Sequence, residues 1–127
     1  EVEPYTRRTV TGIALVPADG LDYRYKYADR RALDRLRQNV PEGVEPIICQ
    51  QGQVRDALYA NVCFFDGIRW LTPEVPLLYG VARHVALLEG KVAPARITVR
   101  DIEKGIYKEV KLINAMRYFG EAPRQSL

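Results

Sequence analysis

The sequence predicts a mixed α/β fold of the α+β kind, built from short elements. Three observations predict it. Short apolar runs of strand length recur along the chain, separated by turn residues. One of them, Asn61–Phe65, is followed by Asp66-Gly67 and a second run at 68–71. That is a hairpin signal, because Asp and Gly both tolerate positive φ. Between the strands lie stretches with apolar residues at helical spacing. The clearest is 80–89, with Val81, Val85 and Leu88 on one face.

The elements follow in order. Residues 1–8 are polar, carry Pro4 and read as an extended lead-in, and 9–17 (TVTGIALVP) reads as a strand. Ala18-Asp19-Gly20 is a turn. Residues 21–27 alternate partly, are rich in tyrosine and form a short strand or extended segment. Asp29 is placed to cap a helix over 30–39, with Leu33 and Leu36 on one face, and Pro41-Glu42-Gly43 ends it. A strand at 46–50 (PIICQ) and a turn at 51–53 lead into 54–60 and then the hairpin, which Thr72 and Pro73 close. The helix at 80–89 ends at Gly90. A strand at 95–99, a short helix at 100–107 and an apolar strand at 110–116 complete the chain.

Composition narrows the class. With 127 residues and 47% hydrophobic content the chain suits one domain with a real core. No run approaches the roughly 20 apolar residues of a membrane span, and no basic-then-apolar start resembles a signal peptide. A cytoplasmic protein without a membrane partner is the expectation. The net charge of +3 is spread along the chain, with Asp22, Asp29 and Asp34 among the arginines. This is the pattern of a solvated face, and no nucleic-acid motif accompanies it. Cys49 and Cys63 lie in apolar strand-like runs without a CxxC partner and read as buried free thiols. His84 is the lone histidine and has no Cys or carboxylate at ligand spacing, so no metal site is expected.

One constellation carries chemistry. Lys26 lies beside an early strand, Asp56 falls on a later one, and Gly80-Val81-Ala82-Arg83 opens a helix. Around them stand Lys26-Tyr27-Ala28-Asp29-Arg30, then Val54-Arg55-Asp56-Ala57-Leu58-Tyr59-Ala60-Asn61-Val62, then Leu71-Thr72-Pro73. Leu77-Leu78-Tyr79-Gly80-Val81-Ala82-Arg83 and Ile113-Asn114-Ala115-Met116 follow. In this order, from Leu21 onward, these segments resemble the class IV aminotransferase family, the fold-type-IV group of pyridoxal-phosphate enzymes. That group includes branched-chain aminotransferases, D-amino acid aminotransferases and aminodeoxychorismate lyase.

The resemblance implies a D-amino acid aminotransferase-like C-terminal domain over 21–127, a mixed sheet forming a pseudo-barrel with flanking helices. Residues 1–20 then form a lead-in and strand. It implies pyridoxal 5′-phosphate as cofactor, with Lys26 as the Schiff-base lysine and base on the substrate's Cα. Asp56 would pair with the pyridine nitrogen. Gly80 would let the backbone approach the phosphate, which the N–H groups of Val81 and Ala82 would hold from a helix start. Asn114 and Ala115 would form the second phosphate-side segment, with Ala115 adding an amide. Asn61 and Arg83 match the motif as supports of the site.

Two departures stand out. The family has glutamate at the position of Asp56, one methylene longer, so the ring would sit closer or a water would intervene. Tyr79 replaces a proline, which is expected to loosen the loop before Gly80. The spacing from Lys26 to Asp56 is slightly short, and a tight loop at 41–43 accommodates it. The family's small N-terminal domain, which supplies a phosphate arginine, has no counterpart in residues 1–20. A chain starting at Glu1 is therefore expected to be a fragment, inactive alone and homodimeric in its full-length form. The "KYADR" segment leans to a lyase of the 4-amino-4-deoxychorismate type, giving 4-aminobenzoate and pyruvate from a small amino substrate. An amino acid aminotransferase and a non-catalytic fragment are the alternatives.

Overall fold

The computed structural model describes residues 12–19 and 30–127. In chain order these form β1 (Gly12–Pro17), α1 (Arg30–Gln38), β2 (Val44–Gln50), β3 (Gln53–Ala57), β4 (Asn61–Phe65), β5 (Trp70–Pro73), α2 (Val81–Leu88), β6 (Ala93–Ala95), α3 (Val99–Glu103), β7 (Glu109–Ile113) and β8 (Gln125–Ser126). The mixed α/β class is as the sequence predicts. The expected strand at 21–27 and the Asp29 cap lie outside the described residues.

The strands divide between two mixed sheets rather than one, in the orders β1-β2-β3 and β6-β5-β4-β7-β8. In the first, β1 pairs parallel to β2, and β2 antiparallel to β3. In the second, only β5 and β6 run parallel. The two sheets join where the chain turns out of β3 at Leu58 and re-enters β4 at Asn61, a corner closed by Ala57 N–H donating to Ala60 O at 3.0 Å. An isolated bridge pairs Gln53 of β3 with Thr98, in the segment that follows β6.

The main core lies between the sheets. Ile47, Val54, Ala57, Val62, Phe64, Ile97 and Val110 are buried in it, and the Phe64 and Tyr107 rings meet at 5.4 Å. A second cluster sits under α2, where Ala82 and Ala86 pack on Cys63, Val92 and Ile113. A third gathers Ile48 and Leu58 with Leu36 of α1 and Leu77.

The hairpin forms as its Asp-Gly predicts. Asp66 Oδ1 accepts from Ile68 N–H at 2.8 Å and Arg69 N–H at 2.9 Å, and Gly67 takes φ +99°. Helix α2 ends in a Schellman turn, with Gly90 at φ +72° and Lys91 N–H donating to Ala86 O.

Several boundaries differ from expectation. β5 is Trp70–Pro73, opening two residues after the start of the expected 68–71 run and taking in Thr72 and Pro73. β6 is Ala93–Ala95, ahead of the expected 95–99. Thr98 is the N-cap of α3, in a reciprocal capping box with Asp101, which fixes the helix start at Val99. Gly105, at φ +77°, ends that helix early and releases Tyr107 into the core. β7 stops at Ile113 because Asn114 and Arg117 exchange backbone hydrogen bonds in a tight turn.

Cys49 and Cys63 are free and buried, as expected. Lys111 is a surprise. It sits in apolar β7, buried, with Nζ donating to Phe119 O at 2.9 Å and lying 3.9 Å from the Phe119 ring centroid. Burial, then the nearby Arg124, pushes its pKa down.

Two expectations follow. Phe64→Ala should cost about 3–5 kcal/mol, read from urea unfolding, because Phe64 is fully buried between the sheets. A loss under about 1 kcal/mol would show that the core does not rest there. Burial pushes the Cys63 thiol up to about 12 and the Cys49 thiol up to about 11, from an ordinary 9.0. The unfolded chain therefore sheds these protons first. The stability they contribute is complete below pH 9 and falls as pH rises toward the folded values, by up to about 1.4 kcal/mol per pH unit per thiol. Unfolding midpoints between pH 8 and 10.5 should fall less steeply in Cys63→Ala than in the parent.

Candidate functional site

The loop at 74–80 links β5 to α2, and groups from other elements hold several of its backbone atoms. Glu74 N–H donates to Ala95 O at 2.9 Å, and Arg55 Nη1 donates to Val75 O at 2.8 Å. Leu77 N–H and Leu78 N–H both donate to Asp56 Oδ2, at 2.7 and 3.0 Å. Asn61 Nδ2 donates to Leu78 O at 2.8 Å. Leu77 itself packs toward Ile48 and Leu58. These bonds hold the loop as far as Leu78, the residue before the Tyr79 that stands in place of proline. Tyr79 is exposed, with the Arg83 guanidinium 5.1 Å from its ring centroid.

Asp56 is the centre of this network. It lies near the end of β3 with 2% of its surface exposed. Its Oδ1 accepts from Asn61 Nδ2 at 2.8 Å, while Oδ2 takes the Leu77 and Leu78 amides. Among the described residues three N–H donors surround this carboxylate, an arrangement that suits an ionised group, which can only accept. Asn61 opens β4 and is likewise buried. Sequence reasoning matched Asn61 to a motif but missed this link. The available signal was an amide at the head of an otherwise apolar strand, NVCFF, which needs partners once buried.

Gly80 is the N-cap of α2, and no side chain caps that end. Among the described residues the N–H groups of Val81, Ala82 and Arg83 find no acceptor, and the first backbone bond of the helix runs from His84 N–H to Gly80 O at 3.0 Å. Ala82 is buried against Ile113, so the helix start lies over the end of β7. Two residues beyond Ile113 stands Ala115, exposed in its turn. Asn114 braces that turn, accepting from Met116 N–H at 2.9 Å and donating to Tyr59 O at 3.1 Å. In the sheet register Asn61 faces Ile113. Asp56, Asn61, Gly80, Val81, Ala82, Asn114 and Ala115 thus belong to one end of the molecule.

Lys26 lies outside the described residues. Arg83 is buried, with Nη2 donating to Pro73 O at 3.2 Å and Nε without a partner among the described residues. The Nη2 bond ties α2 to the end of β5. His84 is exposed, and among the described residues no group of His, Cys, Asp and Glu could hold a metal ion. No described helix is long and apolar enough to cross a membrane.

No family model matches the chain. A Haemophilus influenzae protein, named only as uncharacterized, is 35% identical over 112 residues, covering 88% of this chain and 58% of that protein. Among solved structures, a candidate 4-amino-4-deoxychorismate lyase from Haemophilus somnus matches at TM-score 0.81 and 33% identity, over 92% of this chain and 59% of that one. A candidate amino-acid aminotransferase from Mesorhizobium loti matches at TM-score 0.74 and 21% identity, over 98% of this chain and 63% of that one, a likeness of fold alone. The chain spans 58–59% of the length of the first two of these relatives. By fold it is a C-terminal-like part of the fold-type-IV group, whose solved members are named as aminotransferases and 4-amino-4-deoxychorismate lyases.

Proposed function

We propose that the protein is a pyridoxal-phosphate-dependent enzyme acting on a small amino substrate, and that its reaction is of the 4-amino-4-deoxychorismate lyase type. The observation that carries the reading is the convergence at one sheet end of a buried, triply donated carboxylate and an uncapped helix start. Open N–H groups at the positive end of a helix are the chemistry a phosphate requires. A carboxylate kept ionised is the chemistry a protonated pyridine requires. The residues present therefore fit pyridoxal 5′-phosphate. The lyase is favoured over an aminotransferase because the 33% identical structure is named as a lyase, whereas the aminotransferase at TM-score 0.74 is 21% identical.

When bound, the cofactor supplies an electron sink for a carbanion at the substrate's Cα. The chain's own residues do the rest. The amides of Val81, Ala82 and Ala115 would hold the phosphate, with Asn114 bracing the turn that presents Ala115. Asp56 would keep the proton on the ring nitrogen, directly or through a water. Lys26 Nζ would hold the cofactor covalently and, once freed by substrate, take the proton from Cα. The small N-terminal domain, the homodimer and a cytoplasmic location belong to the same proposal for the full-length protein.

The assay is conversion of 4-amino-4-deoxychorismate to 4-aminobenzoate and pyruvate by the full-length protein. Amino transfer to a keto acid without pyruvate release would make it an aminotransferase instead. Borohydride reduction after loading with pyridoxal 5′-phosphate, then peptide mapping, should put the label on Lys26. Lys26→Ala should lose both colour and turnover, and a variant that keeps them would remove Lys26 from the site. Asp56→Asn should slow turnover by roughly 3 kcal/mol or more if the site excludes water, with the unfolding midpoint measured alongside. An unchanged rate would detach Asp56 from the chemistry.

A further inference from the structure

We infer that Asn61 is a positioning residue that locks the Asp56 carboxylate and the start of α2 into one unit, with Gly80 kept bare to make room for it. What this unit positions rests on the pyridoxal-phosphate reading. The linkage itself rests on geometry.

Asn61 Nδ2 has two hydrogens, and both are used, on Asp56 Oδ1 at 2.8 Å and on Leu78 O at 2.8 Å. A carbonyl oxygen only accepts, and so does an ionised carboxylate, so the amide can be oriented in one way. Its Oδ1 is thereby turned toward Gly80. The circuit closes because Leu78 N–H donates back to Asp56 Oδ2 at 3.0 Å. Leu78 stands two residues before Gly80, so the carboxylate that would serve the ring nitrogen and the helix start that would serve the phosphate are joined through one side-chain amide. A hydroxyl at position 61 has one donor and cannot make both bonds. An aspartate there would set two carboxylates against each other.

Gly80 has φ −75° and ψ 159°, an extended conformation open to any residue, so its backbone does not demand glycine. Space does. A Cβ at position 80 would fall 2.6 Å from Asn61 Oδ1. Asn61 cannot swing aside without breaking both of its bonds. Any side chain at 80 therefore pushes on the Asn61 amide, and through it on Asp56.

The test has two arms. In the protein without added cofactor, hydrogen exchange at the Leu77 and Leu78 amides should speed at least tenfold in Asn61→Ala, although Asn61 donates to neither amide. Gly80→Ala should do the same, and should add little in an Asn61→Ala background, where the oxygen it meets is gone. Gly80→Ala also leaves the Asn61 side chain in place, so it serves if Asn61→Ala does not fold. In the second arm, pyridoxal 5′-phosphate should bind each single variant at least tenfold more weakly. The pH at which the bound cofactor's ring nitrogen loses its proton, read by absorbance, should fall, because a displaced carboxylate stabilises the protonated ring less. Parent-like exchange in both variants overturns the linkage. Faster exchange with unchanged binding and an unchanged titration overturns the positioning role alone. A parent protein that takes up no pyridoxal 5′-phosphate overturns the cofactor reading, and leaves the circuit a device of the fold only.

Discussion

The buried Asp56 carboxylate is the group on which this end of the molecule depends. Burying a charge costs several kcal/mol unless donors replace its water. Here the donors come from Asn61 at the head of β4 and from Leu77 and Leu78 in the loop before α2. Charge-assisted hydrogen bonds contribute about 1.5–3 kcal/mol each, so the loop and the carboxylate hold each other in place. Once 77 and 78 are fixed, α2 has little freedom in where it begins. Its apolar face, Ala82 and Ala86, then falls on Cys63 and Ile113 of the larger sheet.

The same corner explains why open amides collect there. The chain leaves one sheet at the end of β3 and enters the other at β4, so the 58–60 turn stands at the seam. Asn114 reaches back from the end of β7 to Tyr59 O, tying the 114–117 turn to that seam. Helix start, carboxylate and turn are thus held by contacts among elements distant in sequence, on a base of two packed sheets. A site of this kind is placed by rigid parts even though its contacting groups lie on loops.

Local signals were legible in the sequence, and long-range ones were not. Asp66-Gly67 marked the hairpin because the signal is local: the turn closes within residues 66–69, where Asp66 accepts from Ile68 and Arg69 N–H. The helix at Gly80 and its end at Gly90 were legible for the same reason: cap, period and stop lie within ten residues. The boundaries that shifted, β6 against α3, turned on Thr98 and Asp101, a capping box with Asp in the place usually taken by Glu or Gln. The motif order marked Asp56, Gly80 and Asn114 as site residues. It could not give the Asp56 bonds to Leu77 and Leu78, which lie 21 and 22 residues away and depend on how the loop folds back. Lys111 was illegible too, since only the arrival of Phe119 beside it gives its ammonium a partner inside an apolar strand.

Aspartate at position 56, where the family that the sequence resembles has glutamate, reads differently once its surroundings are known. A degraded site would be free to lose this charge, because replacing a buried ionic group and its partners by apolar residues of similar volume is often neutral or stabilising. Instead the short side chain is met by two backbone amides that lie where it ends, and by an asparagine that also donates to Leu78 O. One more methylene would carry the carboxylate past the Leu77 and Leu78 N–H groups or push the loop outward. The side chain and the loop are matched to each other, with Gly80 left bare to admit the asparagine that joins them. Such matching shows a carboxylate whose place is set by its surroundings and not by its side chain alone.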